Sequence, residues 1–346
     1  MDKTDFKNAF KLLNEAKSIA IVGHIRPDGD CIGCCSVMRQ WFLSQKKRAD
    51  VYIDGIIPET LNYIAGVGEF KTDIQNLNIA DLPPYDLLLF VDTGDDKRIG
   101  ECNILRQLSK RTLCIDHHLN NSVTCDTLVL NSDMASCGEI IYELLTQNNV
   151  KITKDMATAL FTSVSSDTGC FLYPNTTSNT HMVAAALMTK GIDREMIMYY
   201  NFRVYDPKLI RGLLLVLKNI RFTSSGRIAI THLSNKFCRR YDFDHEERHK
   251  FQKYAIDAQG VRASVFLTES QPKQYHISLR SHGNINMAAV AEKYKGGGHK
   301  NAAGCTINGK YKNFIANLIS NVEKAIDAEK NPSQGKSGTQ TRKKIK

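Results

Sequence analysis

The segment His24-Ile25-Arg26-Pro27-Asp28-Gly29-Asp30 places an imidazole and two carboxylates within seven residues, directly after the apolar run SIAIVG at 18–23. Pro27 and Gly29 favour a loop there, from which the alternate residues Asp28 and Asp30 could point to separate ions. Asp-Gly-Asp is also ordinary turn chemistry and His24 could be a buried, satisfied histidine, so this segment alone leaves both readings open. Two further apolar runs end in the same way. DLLLFV at 86–91 runs into Asp92-Thr93-Gly94, and RTLCI at 111–115 runs into Asp116-His117-His118. Three strands that deliver ionisable groups at one edge form a pattern that a solvated loop has no reason to make. Carboxylates brought so close without cations would repel one another and resist ionisation, and divalent metal is the natural remedy. Ser165-Ser166-Asp167-Thr168-Gly169 closes the apolar stretch MATALFTSV. By itself it reads as a helix C-cap, and in this company it adds another carboxylate.

Oxygen and nitrogen donors without thiolate favour Mn²⁺ or Mg²⁺ over structural zinc, and five or more ligands exceed what one ion with an open position needs. Two metals are therefore expected, the arrangement that activates a water and clamps a phosphoryl group for in-line displacement. Cys31 and Cys34 form a C-x-x-C, but no second pair lies at zinc-ribbon spacing and the adjacent Cys35 suits helix packing, so they read as core thiols. Far along the chain, Arg280-Ser281 precedes Gly296-Gly297-Gly298-His299-Lys300-Asn301-Ala302-Ala303-Gly304. Consecutive glycines let backbone N–H groups approach an anion, with His299 and Lys300 as further donors at an expected helix N-terminus. A flexible turn with surface basic residues is the bland alternative. The segment is neither a Walker loop nor G-x-G-x-x-G.

The elements that must position these groups follow from hydrophobic patterning. Strands are predicted at 18–23, 49–53, 86–91 and 111–115, continuous in hydrophobicity as befits strands covered on both faces. Helices are predicted at 31–46, 137–148, 154–166, 178–190 and 206–219. This makes the first half an α/β domain around a parallel sheet. A smaller α/β domain follows, with strands at 227–233, 262–268 and 274–280, a helix at 286–294, a glycine turn at 296–298 and a final helix at 311–329. The expected division is 1–200 for the first domain, 201–225 for a helical linker, 226–329 for the second domain and 330–346 for a disordered tail.

Composition narrows the function classes. The 346 residues suit two domains, and 42% hydrophobic with 24% charged residues excludes a disordered, collagen-like or membrane-embedded chain. Of the net +10, five positives (Lys336, Arg342, Lys343, Lys344 and Lys346) lie in the last sixteen residues, which contain no acid. The modest excess left on the remainder suits nucleotides or simple solubility, and is far from the charge of a sequence-reading DNA binder. Ten scattered cysteines in a chain that opens MDKTDFKNAF, without an apolar leader, imply reduced thiols and a cytoplasmic location. No run of apolar residues is long enough to span a membrane.

HIRPDGD, VDTGD, DHH and SSDTG in this order, followed by GGGHKNAAG, resemble the DHH/DHHA1 phosphoesterase superfamily. Within it, the closest likeness is to the nanoRNase A branch of oligoribonucleases that also dephosphorylate 3′-phosphoadenosine-5′-phosphate (pAp). The likeness spans roughly residues 10 to 328 and implies an N-terminal parallel-sheet DHH domain that binds metal, a smaller C-terminal α/β DHHA1 domain that binds substrate, and a cleft between them. It implies that His24, Asp28 and Asp92 hold one Mn²⁺ and that Asp30, Asp92, His117 and Asp167 hold another, with Mg²⁺ as the alternative ion and Asp92 bridging. By the same resemblance His118 contacts the scissile phosphate or protonates the leaving oxygen, and Asp116 orients the histidine pair. Arg98 matches a basic position of the family, a salt bridge to Asp95 or Asp96 being the alternative. Arg280, Ser281, Gly297, Gly298 and His299 match positions expected to hold the far phosphate and the nucleotide. The implied partners are RNAs of two to five nucleotides, pAp and, by resemblance alone, a second copy in a homodimer, with no membrane involved.

Competing readings remain within reach of the same motifs. They are a soluble phosphodiesterase for cyclic di-AMP or linear pApA, a RecJ-like single-strand exonuclease, an inorganic pyrophosphatase and a non-catalytic nucleotide or RNA sensor. The absence of a further oligonucleotide-binding module after 330 speaks against the RecJ-like option, and GGGHKNAAG against the pyrophosphatase. Because every matched acidic and histidine position is kept, catalysis is expected rather than sensing.

Overall fold

A computed structural model describes residues 3–205, 207–240 and 251–330. Beyond Lys330, the expected tail lies outside the described residues. The chain divides into two compact units between Val204 and Tyr205.

The first unit is built on a five-stranded, wholly parallel sheet of β1 (Ser18–Val22), β2 (Arg48–Tyr52), β3 (Leu87–Val91), β4 (Thr112–Asp116) and β5 (Thr127–Leu130), in the order β2-β1-β3-β4-β5. Its central strands are covered on both faces, which explains their unbroken hydrophobicity; every residue of β3 is buried. On one face Ile19, Ile21, Leu87, Leu89, Leu113 and Ile115 join the core of the helices α1 (Lys3–Glu15), α2 (Gly29–Ser44), α3 (Cys137–Gln147), α4 (Lys154–Asp167) and α5 (Ser178–Met188). On the other face Ala20, Val22, Leu88 and Phe90 pack under a 3₁₀ stretch, Asp96–Leu108, through Ile99, Cys102 and Leu105. Sequence reasoning left out α1 and β5. The buried Phe6, Ala9 and Leu13 of α1 carry a helical spacing that was open to reading, whereas β5 is a four-residue strand at the sheet edge with one fully buried residue.

Helix α2 starts at Gly29 rather than at 31, because Asp28 caps it by accepting from the N–H groups of Asp30 (3.0 Å) and Cys31 (3.1 Å). Asp30 therefore sits in the first helical turn and not in a loop. Gly29 and Gly33, four residues apart, bring α2 directly against α4. A Cβ on Gly33 would lie 2.4 Å from the Ala159 carbonyl oxygen, and one on Gly29 2.8 Å from Ser166 Cβ. That close crossing carries Asp30 on α2 towards Asp167 at the end of α4.

In the second unit β6 (Arg221–Phe222), β7 (Ile228–Leu233), β8 (Ala263–Gln271), β9 (Gln274–Ser281), β10 (Gly297–His299) and β11 (Ala302–Asn308) form a mixed sheet in the order β10-β11-β9-β8-β7-β6. Only β7 and β8 pair in parallel. The helix Tyr311–Lys330 buries Phe314, Leu318, Val322 and Ile326 against this sheet at helical spacing. The helix Pro207–Asn219 sets Leu213 and Val216 beside Leu233 and Phe266.

The glycine run corrects the sequence reading. Instead of a turn leading into a helix, Gly297–His299 is an edge strand paired with Ala302–Gly304. Cβ atoms on Gly296 and Gly298 would fall 2.2 Å and 2.6 Å from carbonyl oxygens of the neighbouring strand, and Gly298 has a φ of +138°, so the glycines permit a very close hairpin. Among the described residues no helix is long and apolar enough to cross a membrane.

Candidate active site

In the order β2-β1-β3-β4-β5 the connections reverse direction between β1 and β3, and the carboxyl ends of strands at such a switch point form the usual binding crevice. His24 follows β1, Asp92 follows β3 immediately, and Asp116-His117-His118 ends β4. Asp92 adopts a left-handed φ of +54° while its N–H donates to the Ile115 carbonyl, a strained backbone held by the adjacent strand.

Each of the first two histidines has one nitrogen tied to the backbone and the other turned inward. His24 Nδ1 bonds the Ile25 carbonyl at 2.7 Å, leaving Nε2 3.3 Å from Asp92 Oδ2 and 3.8 Å from Asp28 Oδ2. His117 Nδ1 faces the Met134 carbonyl at 3.4 Å, and its Nε2 lies 3.0 Å from Asp167 Oδ2, 3.5 Å from Asp92 Oδ1 and 3.8 Å from Asp30 Oδ2. Anchoring Nδ1 in this way sets the tautomer that presents Nε2 as a ligand. Three overlapping donor groups result, His24/Asp28/Asp92, Asp30/His117/Asp167 and Asp92/His117/His118, and Asp92 turns Oδ2 to His24 of the first group and Oδ1 to His117 of the other two.

Asp30 is wholly buried and held from four sides. It accepts from the N–H groups of Cys137 (2.8 Å) and Gly138 (3.1 Å) at the start of α3, from the Cys34 thiol (3.2 Å), and from the Ser163 hydroxyl. Sequence reasoning missed Ser163 and the α3 terminus, which no motif marks.

Whether a divalent cation fits can be tested on the donors themselves. His24 Nε2 and Asp92 Oδ1 are buried without a hydrogen bond, the condition of groups aimed at a missing electropositive partner. Burial, then the charge of Asp92, raises the Asp30 carboxyl well above its usual range and Asp167 in the same direction. Burial works to lower both imidazoles, but Cys31, Asp92 and Asp28 bring His24 to about 10, while Asp167, Asp92 and Asp30 bring His117 to about 12. In the protein alone, protons thus balance the charge that a metal would balance. Burial keeps the neighbouring Cys31 and Cys34 thiols far above their usual range, so the ligand set is carboxylate and imidazole, which suits Mn²⁺ or Mg²⁺. The residues present fit such ions.

The third histidine differs. His118 is partly exposed, its Nδ1 bonds Asp116 Oδ1 at 2.7 Å, and Arg98 Nη1 donates to its Nε2 at 3.3 Å. Asp116 is in turn fixed by Asn121, whose Nδ2 donates to Asp116 Oδ2 (2.6 Å) and to the Thr93 carbonyl (2.9 Å). Asn121 is a positioning residue that sequence reasoning did not single out. Asp95 caps the 3₁₀ stretch and Asp96 pairs with Arg106, so the structure gives no salt bridge from Arg98 to either.

In the second unit, strand register places Arg280 on β9 and His299 on β10 both opposite Ala302 on β11. Directly opposed residues share a face of the sheet, so a guanidinium and an exposed imidazole flank a methyl group. The Ser281 side chain is nearly buried, donates to the Ile285 carbonyl (3.0 Å) and accepts from Asn301 (3.0 Å), shaping the turn after β9. Gly297 and Gly298 are exposed in the edge strand.

A parallel domain with a buried carboxylate–imidazole nest at its switch point, followed by a mixed-sheet domain, defines a phosphoesterase of the metal-dependent class. The model of the DHH family N-terminal domain matches residues 18–164 and that of the DHHA1 domain matches 238–328. The chain belongs to the DHH/DHHA1 phosphoesterase superfamily. It is 28% identical to the bifunctional oligoribonuclease and PAP phosphatase NrnA of Mycoplasma genitalium, over 94% of this chain and 99% of that one. To the enzyme of the same name from Thermus thermophilus it is 27% identical over 84% of both chains. A solved exopolyphosphatase-related protein from Bacteroides fragilis has the same fold, with a TM-score of 0.85 at 24% identity, covering 95% of this chain and 98% of that one.

Proposed function

We propose that this enzyme hydrolyses RNAs of two to five nucleotides to 5′-mononucleotides and dephosphorylates pAp to AMP, with two Mn²⁺, or Mg²⁺, held by the nest. The observation that carries the reading is Asp92, whose two oxygens face separate donor groups 3.3 Å and 3.5 Å away. The relatives named for both activities supply the substrates. One chemistry serves both: water attacks phosphorus in line, the P–O3′ bond breaks, and the released 3′ oxygen takes a proton. From an oligonucleotide this frees a 5′-mononucleotide, and from pAp it frees inorganic phosphate.

His24, Asp28 and Asp92 would hold one ion, and Asp30, Asp92, His117 and Asp167 the other. Bound there, such ions polarise the phosphoryl oxygens and lower the pKa of a water. His118, oriented by Asp116, would face the scissile phosphate, and Arg98 would leave its Nε2 for a phosphate oxygen. Freed in this way, Nε2 can take up a proton from water, the imidazolium being balanced by Asp116, and hand it to the leaving oxygen. Arg280 and His299 would take the far phosphate as charge-assisted donors, with Gly297 and Gly298 keeping the approach open and Ser281 supporting the turn.

The test is turnover by Mn²⁺-loaded protein of a diribonucleotide, a long single-stranded RNA, pAp and cyclic di-AMP. Fast release of mononucleotide from the diribonucleotide and of phosphate from pAp, with slow long RNA, is expected. Preference for the long strand or the cyclic substrate would overturn the assignment.

A further inference from the structure

Two residues after Asp167, past the helix C-cap Thr168, the backbone takes three consecutive left-handed residues, Gly169 (φ +55°), Cys170 (+60°) and Phe171 (+66°). Two of these are not glycine, and runs of this kind persist only where the surroundings over-determine them. Here they do. The Phe171 ring stacks on His181 at 5.4 Å and packs on Phe161 at 6.0 Å. The Thr168 carbonyl accepts from the N–H groups of Leu172 and Tyr173, and the Asn175 amide ties back to the Asp167 carbonyl. This strained turn directs two large side chains into solvent: Leu172 is 83% exposed and Tyr173 57%. A Cβ on Gly169 would sit 2.4 Å from the Tyr173 ring, so the glycine lets that ring lie flat against the turn that carries Asp167.

A second irregular segment meets the first. The π-helical turn Tyr199–Arg203 begins after Met198, whose sulfur lies 3.3 Å from Cys170 Sγ, and π turns gather at functional sites. It exposes Tyr199 and stacks Tyr200 on Tyr63, whose hydroxyl is bonded to Thr162 of α4, a little over one turn before Asp167. From Thr168 to Asn175 no residue is charged. Such a surface suits a flat, neutral, aromatic ligand and not a phosphate.

We propose that Tyr173, with Leu172, is the platform on which a nucleobase of the substrate lies while the adjoining phosphate occupies the Asp92 nest. This rests on the reading of the protein as an oligonucleotide hydrolase and adds how the base is gripped. Stacking on a ring face accepts every base, so the platform selects nucleotides without selecting sequence.

The experiment compares hydrolysis of a diribonucleotide with that of its counterpart lacking both bases, in wild type, Tyr173→Ala and Tyr173→Phe. The ratio of the two kcat/KM values is expected to fall about tenfold in Tyr173→Ala and to be retained in Tyr173→Phe. In parallel, a dinucleotide carrying 2-aminopurine is titrated with each protein in EDTA, where no turnover occurs. Wild type and Tyr173→Phe should quench its fluorescence, and Tyr173→Ala should not. An unchanged ratio and unchanged quenching in Tyr173→Ala would overturn the platform, as would wild type that fails to quench. A Tyr173→Ala protein whose sedimentation shows a lost subunit contact would do so too, by assigning this surface to a second copy. Tyr173-dependent quenching without any dinucleotide turnover would leave the platform standing and remove the proposed activity instead.

Discussion

The two units place their polar groups in opposite ways. In the first, Asp30, Asp92 and His24 are almost wholly buried and each is fixed by backbone or neighbouring side chains before any ligand arrives. In the second, His299, Gly297 and Gly298 are exposed on an edge strand, and only register brings His299 into line with Arg280. A preorganised buried nest suits reacting atoms, whose charge changes in the transition state. An exposed row suits a phosphate that keeps its charge throughout and needs holding. The nest should therefore govern kcat and the row KM.

Substitutions can break that contrast. His117→Ala removes a donor at the centre of one group and should lower kcat about a thousandfold in steady-state assays on a diribonucleotide. Arg280→Ala should raise KM about ten- to a hundredfold with kcat nearly kept, the worth of a charge-assisted bond made equally in ground and transition states. A fall in kcat alone for Arg280→Ala would erase the distinction. Asn121→Ala frees Asp116, and through it His118; a loss of about tenfold in kcat is expected without loss of bound manganese, measured by elemental analysis.

The pH response sharpens the same point. In metal-free protein His24 titrates near 10 and His117 near 12, above the value of about 6.5 for an unfolded chain. Raised pKa values mean that the folded state holds more protons than the unfolded one above pH 6.5. Their stabilisation is complete below that pH and is lost as pH rises, up to about 10 for His24 and about 12 for His117. Melting temperature in EDTA should thus fall between pH 7 and 9. With saturating Mn²⁺ the fall should vanish or reverse, because ligands must shed protons to bind metal. The smallest effect belongs to the hairpin: Gly298→Ala places a Cβ against the Ala302 carbonyl and should cost about 1–3 kcal/mol in denaturant unfolding.

The same contrast explains what was legible in the sequence. His24, Asp92 and Asp116-His117-His118 could be found because each follows an apolar strand, and a parallel sheet gathers such ends at one edge. Asp167 could be suspected only in company, since the crossing of α2 and α4 at Gly29 and Gly33 that brings it to Asp30 is a packing event without a local signature. Asn121 and Ser163 act through geometry that no spacing announces. The glycine run misled for a physical reason: three glycines signal conformational freedom, and an edge strand pressed against its neighbour needs small residues for a different purpose, close approach. Arg280 and His299, nineteen residues apart, share a face only through the register of β9, β11 and β10.

If Asp92 joins two metal-binding groups in one reaction centre, as proposed, its loss must disturb metal content and cleavage together. Bound manganese per chain and manganese-dependent cleavage of a diribonucleotide should be measured together for wild type and Asp92→Ala. Two ions and rapid cleavage are expected for the wild type, and fewer ions with no detectable cleavage for the variant. Substantial hydrolysis by Asp92→Ala, or retention of both ions, would contradict the proposal.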